Sequence, residues 1–132
     1  MATHLLQFEL PLPPSLNRYY RRVGPRTLIS REGRQYRKRV CALLASASAK
    51  PLNGRLEVVV HAFAPDRRRR DLDNAMKGLL DALQHAGAYH DDSQIDELVI
   101  RRGPVVPGGK VIVWITEKPC DIARTTRCSK RK

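Results

Sequence analysis

Leu56-Glu57-Val58-Val59-Val60-His61-Ala62-Phe63-Ala64-Pro65-Asp66-Arg67-Arg68-Arg69-Arg70-Asp71-Leu72-Asp73-Asn74-Ala75-Met76-Lys77-Gly78-Leu79-Leu80-Asp81-Ala82-Leu83 passes from one kind of regular structure to another. Residues 56–64 are rich in β-branched side chains and are stopped by Pro65, the composition of a strand. Leu72, Ala75, Met76, Leu79, Leu80 and Leu83 recur at spacings of three and four, which predicts a helix with one apolar face. That helix runs to about Ala86, and Gly87 fits the position just past its end, where left-handed backbone is cheapest for glycine. Between strand and helix lies a polar loop of four arginines with aspartates on either side.

Outward from this stretch the same two periods alternate. Upstream, Ser30 suits a helix N-cap, and Tyr36, Val40, Leu43, Leu44 and Ala47 draw an apolar stripe along a helix over 31–47. Before it, Thr27-Leu28-Ile29 reads as a short strand, 15–26 as a basic and aromatic loop, and 4–10 as a strand closed by Pro11-Leu12-Pro13-Pro14. Downstream, 89–93 is a loop, 98–101 a short strand, 104–109 a turn, and 110–117 a strand with Val111, Val113 and Ile115 alternating. The order predicts an α+β fold: a small single domain over 1–118, with two main helices packed on a mixed β-sheet. Residues 119–132 carry Arg124, Arg127, Lys130, Arg131 and Lys132 with no apolar stripe to bury, and are expected to be a basic disordered tail.

The 132 residues suffice for one core and not two. The first residues lack the charged start and apolar run of a signal peptide, and no stretch approaches the roughly 18 apolar residues of a membrane span. A soluble, cytoplasmic protein is expected. Cys41, Cys120 and Cys128 make neither a disulfide framework nor a zinc site; Cys41 is expected as a buried thiol. Against 25 Lys and Arg stand 13 Asp and Glu, a net charge of +12. A polyanion is the natural partner, because each phosphate neutralised releases condensed counterions. No basic amphipathic helix with bulky apolar anchors argues for a membrane.

Eight of the 13 acids nevertheless fall within 66–97: Asp66, Asp71, Asp73, Asp81, Asp91, Asp92, Asp96 and Glu97. Clustered carboxylates repel unless a cation sits among them, and all-oxygen ligands suit Mg²⁺ or Mn²⁺. At an extended start to the helix, Asp71 and Asp73 can aim into one cleft. Lys77, four residues on, shares the face of Asp73. Asp91 and Asp92 follow the same helix on its return loop, so the spacing permits a cluster. Arg67, Arg68, Arg69 and Arg70 beside metal-binding carboxylates suit a phosphodiester cutter. Tyr19 and Tyr20, among Arg18, Arg21 and Arg22, can stack on exposed bases or pack on the core. Each acid also has a plainer explanation: a helix cap, a first-turn acid, a surface ion pair, a turn.

Pro13-Pro14-Ser15, Asn17-Arg18-Tyr19-Tyr20, the run from Asp66 to Asn74, Lys77, Asp81-Ala82-Leu83, Gly87 and Asp91-Asp92 together resemble the RusA family of Holliday-junction resolvases. The resemblance spans roughly residues 5–117. It departs from the family's pattern at Leu16, where asparagine is common, and in the longer basic tail. It implies a bacterial or phage-encoded homodimer that binds four-way DNA junctions by shape. Such an enzyme makes paired symmetric nicks with Mg²⁺ or Mn²⁺ and leaves 5′-phosphate and 3′-hydroxyl ends, with no small-molecule cofactor. By the resemblance Asp71, Asp73 and Asp92 are the essential aspartates, Asp91 assists, and Lys77 is the important lysine. The arginines at 67–70, with Arg18, Arg21 and Arg22, would grip the DNA backbone. Two other readings stay open at this point: a basic binding module without catalysis, and a nuclease acting on flaps, replication forks or RNA.

Overall fold

The computed structural model describes residues 5–118. His4, the expected tail at 119–132, Cys120 and Cys128 lie outside the described residues. In chain order the elements are β1 (Leu5–Leu10), α1 (Leu16–Tyr19), β2 (Tyr20–Val23), β3 (Arg26–Ile29), α2 (Arg31–Ser46), β4 (Leu56–Phe63), α3 (Met76–His85), β5 (Ile95–Arg102) and β6 (Lys110–Glu117). Short 3₁₀ turns stand at Leu72–Ala75 and Asp92–Gln94.

Four strands form one sheet in the order β1-β6-β4-β5. β6 runs antiparallel to both β1 and β4, whereas β5 runs parallel to β4. The parallel pair follows from chain geometry: a hairpin cannot join parallel strands, so α3 makes the crossover. The mixed sheet and the two long helices are those the sequence predicted.

Period-two alternation places the core. Leu56, Val58 and Val60 of β4, Val111, Val113 and Ile115 of β6, and Phe8 and Leu10 of β1 are buried. Onto them pack Tyr36, Val40 and Leu44 of α2 and Met76, Leu79, Ala82 and Leu83 of α3. The alternate residues Val59, His61, Ile112 and Trp114 are only half-buried and take no part in that core. His61 and Trp114 meet edge to face there, with ring centroids 4.7 Å apart. Cys41, expected to be buried, is half-buried, because it stands one residue off the stripe that faces the sheet.

The expected loop at 15–26 is instead ordered structure. The Ser15 carbonyl accepts the Arg18 and Tyr19 amides and starts the single turn α1. Then β2 and β3 pair antiparallel from Tyr20↔Ile29 to Val23↔Arg26. Gly24, at φ +60°, supplies the left-handed residue that the tight reversal requires. β5 also begins earlier than the sequence suggested, at Ile95 rather than Leu98.

Tyr19 joins the layers. Its ring is fully buried and lies against Gly78 of α3, where a Cβ would stand 2.7 Å from Tyr19 Cδ2. Its carbonyl accepts from the Ser30 amide at 2.8 Å and crowds Gly33 of α2 so closely that a Cβ there would collide with it.

Candidate active site

The loop after β4 is folded by Asp66. Its carboxylate accepts from the Arg68 amide at 2.9 Å and from Arg70 Nη1 at 2.7 Å. These bonds, Arg70 first, pull the Asp66 carboxyl down to about 2. Arg70 is therefore half-buried and paired, while Arg67, Arg68 and Arg69 are exposed. Arg102, at the end of β5, fixes the loop from the other side by donating from Nη2 to the Arg70 carbonyl at 2.8 Å.

Asp71 ends this loop with extended backbone, φ −84° and ψ 139°, at the cap position of the 3₁₀ turn. Its side chain makes no capping hydrogen bond, so capping does not account for it. Asp73 lies in the first turn of the same 3₁₀ segment. Among the described residues, Asp71, Asp73 and Asp92 form no ion pair, and the i,i+4 pair Asp73–Lys77 is not made. All three carboxylates are exposed.

Asp91 has a structural task. It accepts from the Ser93 amide at 3.0 Å and forms a capping box with Gln94. The Ser93 amide foremost, and next the neighbouring Asp92 side chain, hold its carboxyl below the ordinary range. Gln94 also donates to the Leu52 and Gly54 carbonyls, which ties the return loop to the start of β4. Asp92 begins the 3₁₀ turn, and its amide donates to Gln84 Oε1 at 2.9 Å.

Lys77 stands over the Tyr20 ring, 5.9 Å from its centroid. An open groove between β2 and α3 is lined by Tyr20, Arg21, Arg22, Thr27 and Lys77. The Tyr20 phenol is raised first by burial and then by the charges of Asp81 and Asp92, which places Asp92 within electrostatic reach of this groove. Tyr19, by contrast, is packed in the core and cannot stack on a base.

Two further residues carry the site without any periodic signal in the sequence. Asp81 accepts from the Tyr19 hydroxyl at 2.5 Å and from Arg37 Nη2 at 2.6 Å. This cross-tie binds α1, α2 and α3 beneath the groove. Arg37 lies off the apolar stripe of α2, and nothing in its spacing distinguishes it from its basic neighbours.

The three acids flank α3 and are not gathered in one cage. Asp71 and Asp73 precede its first turn, and Gln84 holds Asp92 at its last, roughly 15 Å further along the axis at 1.5 Å per residue. Among the described residues, no three His, Cys, Asp or Glu side chains are placed to hold a metal ion together. The donor set still fits Mg²⁺ or Mn²⁺: hard oxygens, exposed and, among the described residues, in no ion pair. Mg²⁺ commonly takes only one or two carboxylates, with substrate phosphate and water completing its shell.

Fold and site together define a basic α+β domain with uncompensated carboxylates open beside arginines. Residues 11–116 match the family described as Endodeoxyribonuclease RusA. A crossover junction endodeoxyribonuclease of Enterobacteria phage HK97 is 49% identical over 112 residues, 84% of this chain and 93% of that protein. Proteins of the same description from Escherichia coli K12 and Enterobacteria phage 82 are each 43% identical over 113 residues, 82% of this chain and 91% of theirs. The chain belongs to the RusA family of endodeoxyribonucleases. No helix among the described residues is long and apolar enough to cross a membrane.

Proposed function

We propose that this protein resolves Holliday junctions, using Mg²⁺ or Mn²⁺ to make paired symmetric nicks as a homodimer. The observation that carries this reading is the uncapped, unpaired Asp71 and Asp73 directly after an ordered arginine loop in a +12 chain. Carboxylates left open at the foot of a phosphate-binding loop have no evident structural use.

Asp71, Asp73 and Asp92 would hold the divalent ion, with Asp91 supporting Asp92 through the turn it caps. A bound Mg²⁺ supplies a Lewis acid toward phosphoryl oxygen and makes its water a better nucleophile. Lys77 places a positive charge beside the groove, where it neutralises the phosphate under attack. Arg67, Arg68 and Arg69, with Arg18, Arg21 and Arg22, grip flanking backbone, since among the described residues none is spent on an ion pair. Arg70 acts at one remove, by holding the loop. The wide separation of Asp71 and Asp73 from Asp92 favours a dimer, because a two-fold pairing of antiparallel α3 helices brings opposite ends of that helix together twice. Two equivalent sites then face two equivalent strands.

Asp73→Asn tests the reading. Nicking of a synthetic four-way junction in Mg²⁺ is expected to fall on the order of a hundredfold or more, the scale seen when stabilisation of developing charge is removed, while junction binding persists. Undiminished cutting would remove Asp73 from the site. Binding that falls with salt, with no nicking in any divalent metal by the native chain, would establish the binding-module reading instead. Equal cutting of forks, flaps or RNA would widen the substrate.

A further inference from the structure

We propose that the cavity beside Asp71 receives a single nucleobase from the DNA strand being cut, and that this pocket makes cleavage depend on the base there. The inference rests on the junction-cutting reading above. The cavity measures about 140 Å³, less than the roughly 300 Å³ or more that accommodates drug-sized ligands. It therefore suits one flat ring system and not a nucleotide pair.

Its walls divide by chemistry. Leu12, Pro13, Ala62, Ala64, Leu72 and Met76 supply apolar surface. They come from four segments: the proline-rich run, the end of β4, the 3₁₀ turn and the first residue of α3. Asp71, Asn74, Arg70 and Arg102 stand at the polar side. The Asn74 side-chain amide makes no hydrogen bond to any described residue, so its donor and acceptor are both available to a ring edge. Arg102 spends one Nη2 bond on the Arg70 carbonyl and keeps its other donors. An apolar slot with a few convergent hydrogen-bonding groups is how enzymes read a base taken out of the stack.

The occupant follows from position and charge. Asp71 is both a wall of the cavity and a proposed metal ligand, so whatever fills the slot sits next to the reacting phosphate. Exposed Arg67, Arg68 and Arg69 draw a polyanion across its mouth. The base flanking the cleaved bond is the apolar, hydrogen-bonding group that such a strand can deliver there. No aromatic side chain lines the cavity, so a base lodged in it loses its stacking partners.

That loss gives the test a readout independent of cleavage. Four-way junctions carrying 2-aminopurine at single positions around the exchange point are bound by the native chain without divalent metal. Fluorescence, quenched in the stack, is expected to rise at one position and not at its neighbours. Ala64→Leu, which fills the slot, should abolish that rise. In Mg²⁺ the native chain should cut the best of the four natural bases at that position roughly tenfold faster than the worst, the discrimination typical of a well-read base. Asn74→Ala, an exposed substitution with no packing to lose, should compress that range even if Ala64→Leu fails to fold. Junctions bound and cut with no bright position, or an unchanged base preference in Asn74→Ala and Ala64→Leu, would overturn the pocket while leaving the junction-cutting reading intact. A dimer dissociated by Ala64→Leu, with no bright position in the native complex, would assign the slot to a second copy of the chain and also overturn it. Failure of the native chain to bind or cut junctions would overturn both.

Discussion

At the scale of single residues, aspartates of identical chemistry do four different things. Asp66 folds a loop, Asp81 ties three helices, Asp91 caps a turn, and Asp71 and Asp73 are left open. Spacing could not sort them, because a cap, an ion pair and a metal ligand all call for a short carboxylate near the start of a helix. Only the partners decide, and they come from distant segments: Arg37 reaches Asp81 across 44 positions. The Asp66 tie has a pH signature. Its carboxyl is lowered from 3.8 to about 2, so its contribution is fully present above the ordinary value and is lost as pH falls through about 2. A two-dimensional NMR titration should show the Arg68 amide moving with an apparent pKa well below 3.8. A midpoint at the ordinary value would mean that Arg70 does not hold the loop.

At the scale of elements, strands and long helices were legible because their periods are strong. The β-branched run at Val58, Val59 and Val60 and the alternation of Val111, Val113 and Ile115 read as strands, and Tyr36, Val40 and Leu44 as a helical stripe. Of the β2–β3 hairpin only β3 was legible, as the short strand Thr27-Leu28-Ile29: Tyr20-Arg21-Arg22-Val23 alternates nothing with a core, and both strands are largely exposed. What holds the hairpin is Tyr19, wedged between two helices at positions where each has glycine. Gly33→Ala should therefore cost about 3 kcal/mol, at the upper end for an overfilled core, since the atom it meets is backbone and cannot move aside. Gly78→Ala should cost less, because its Cβ meets the edge of the Tyr19 ring, a side chain, and not backbone. Urea denaturation measures both, and a neutral Gly33→Ala would refute the wedge. The hairpin also presents Arg21 and Arg22. Replacing both by alanine should reduce the slope of log affinity against log salt by about 2, one per phosphate contact, with base preference unchanged.

At the scale of the whole molecule, the sheet order β1-β6-β4-β5 explains why the acids lie apart. The parallel pairing of β5 on β4 returns the chain from the end of α3 to the start of β4, so Asp92 falls at the opposite end of the helix from Asp71 and Asp73. The sequence showed that the acids share one quarter of the chain, but a crossover converts nearness in sequence into separation in space. Strand order arises from long-range pairing that no local period encodes. The half-buried face of Val59, His61, Ile112 and Trp114 is likewise a whole-molecule feature, visible only once the helices are seen to cover the other side.

The most direct test of the proposed activity uses a supercoiled plasmid that extrudes a cruciform, incubated with the native protein with and without Mg²⁺. Two coordinated nicks across the junction convert the circle to linear DNA with ends at the cruciform base, and that product, dependent on Mg²⁺, is the expected result. Nicked circles alone, linear product with chelator present, or equal cutting of a plasmid without the cruciform would contradict a metal-dependent enzyme that cuts junctions in pairs.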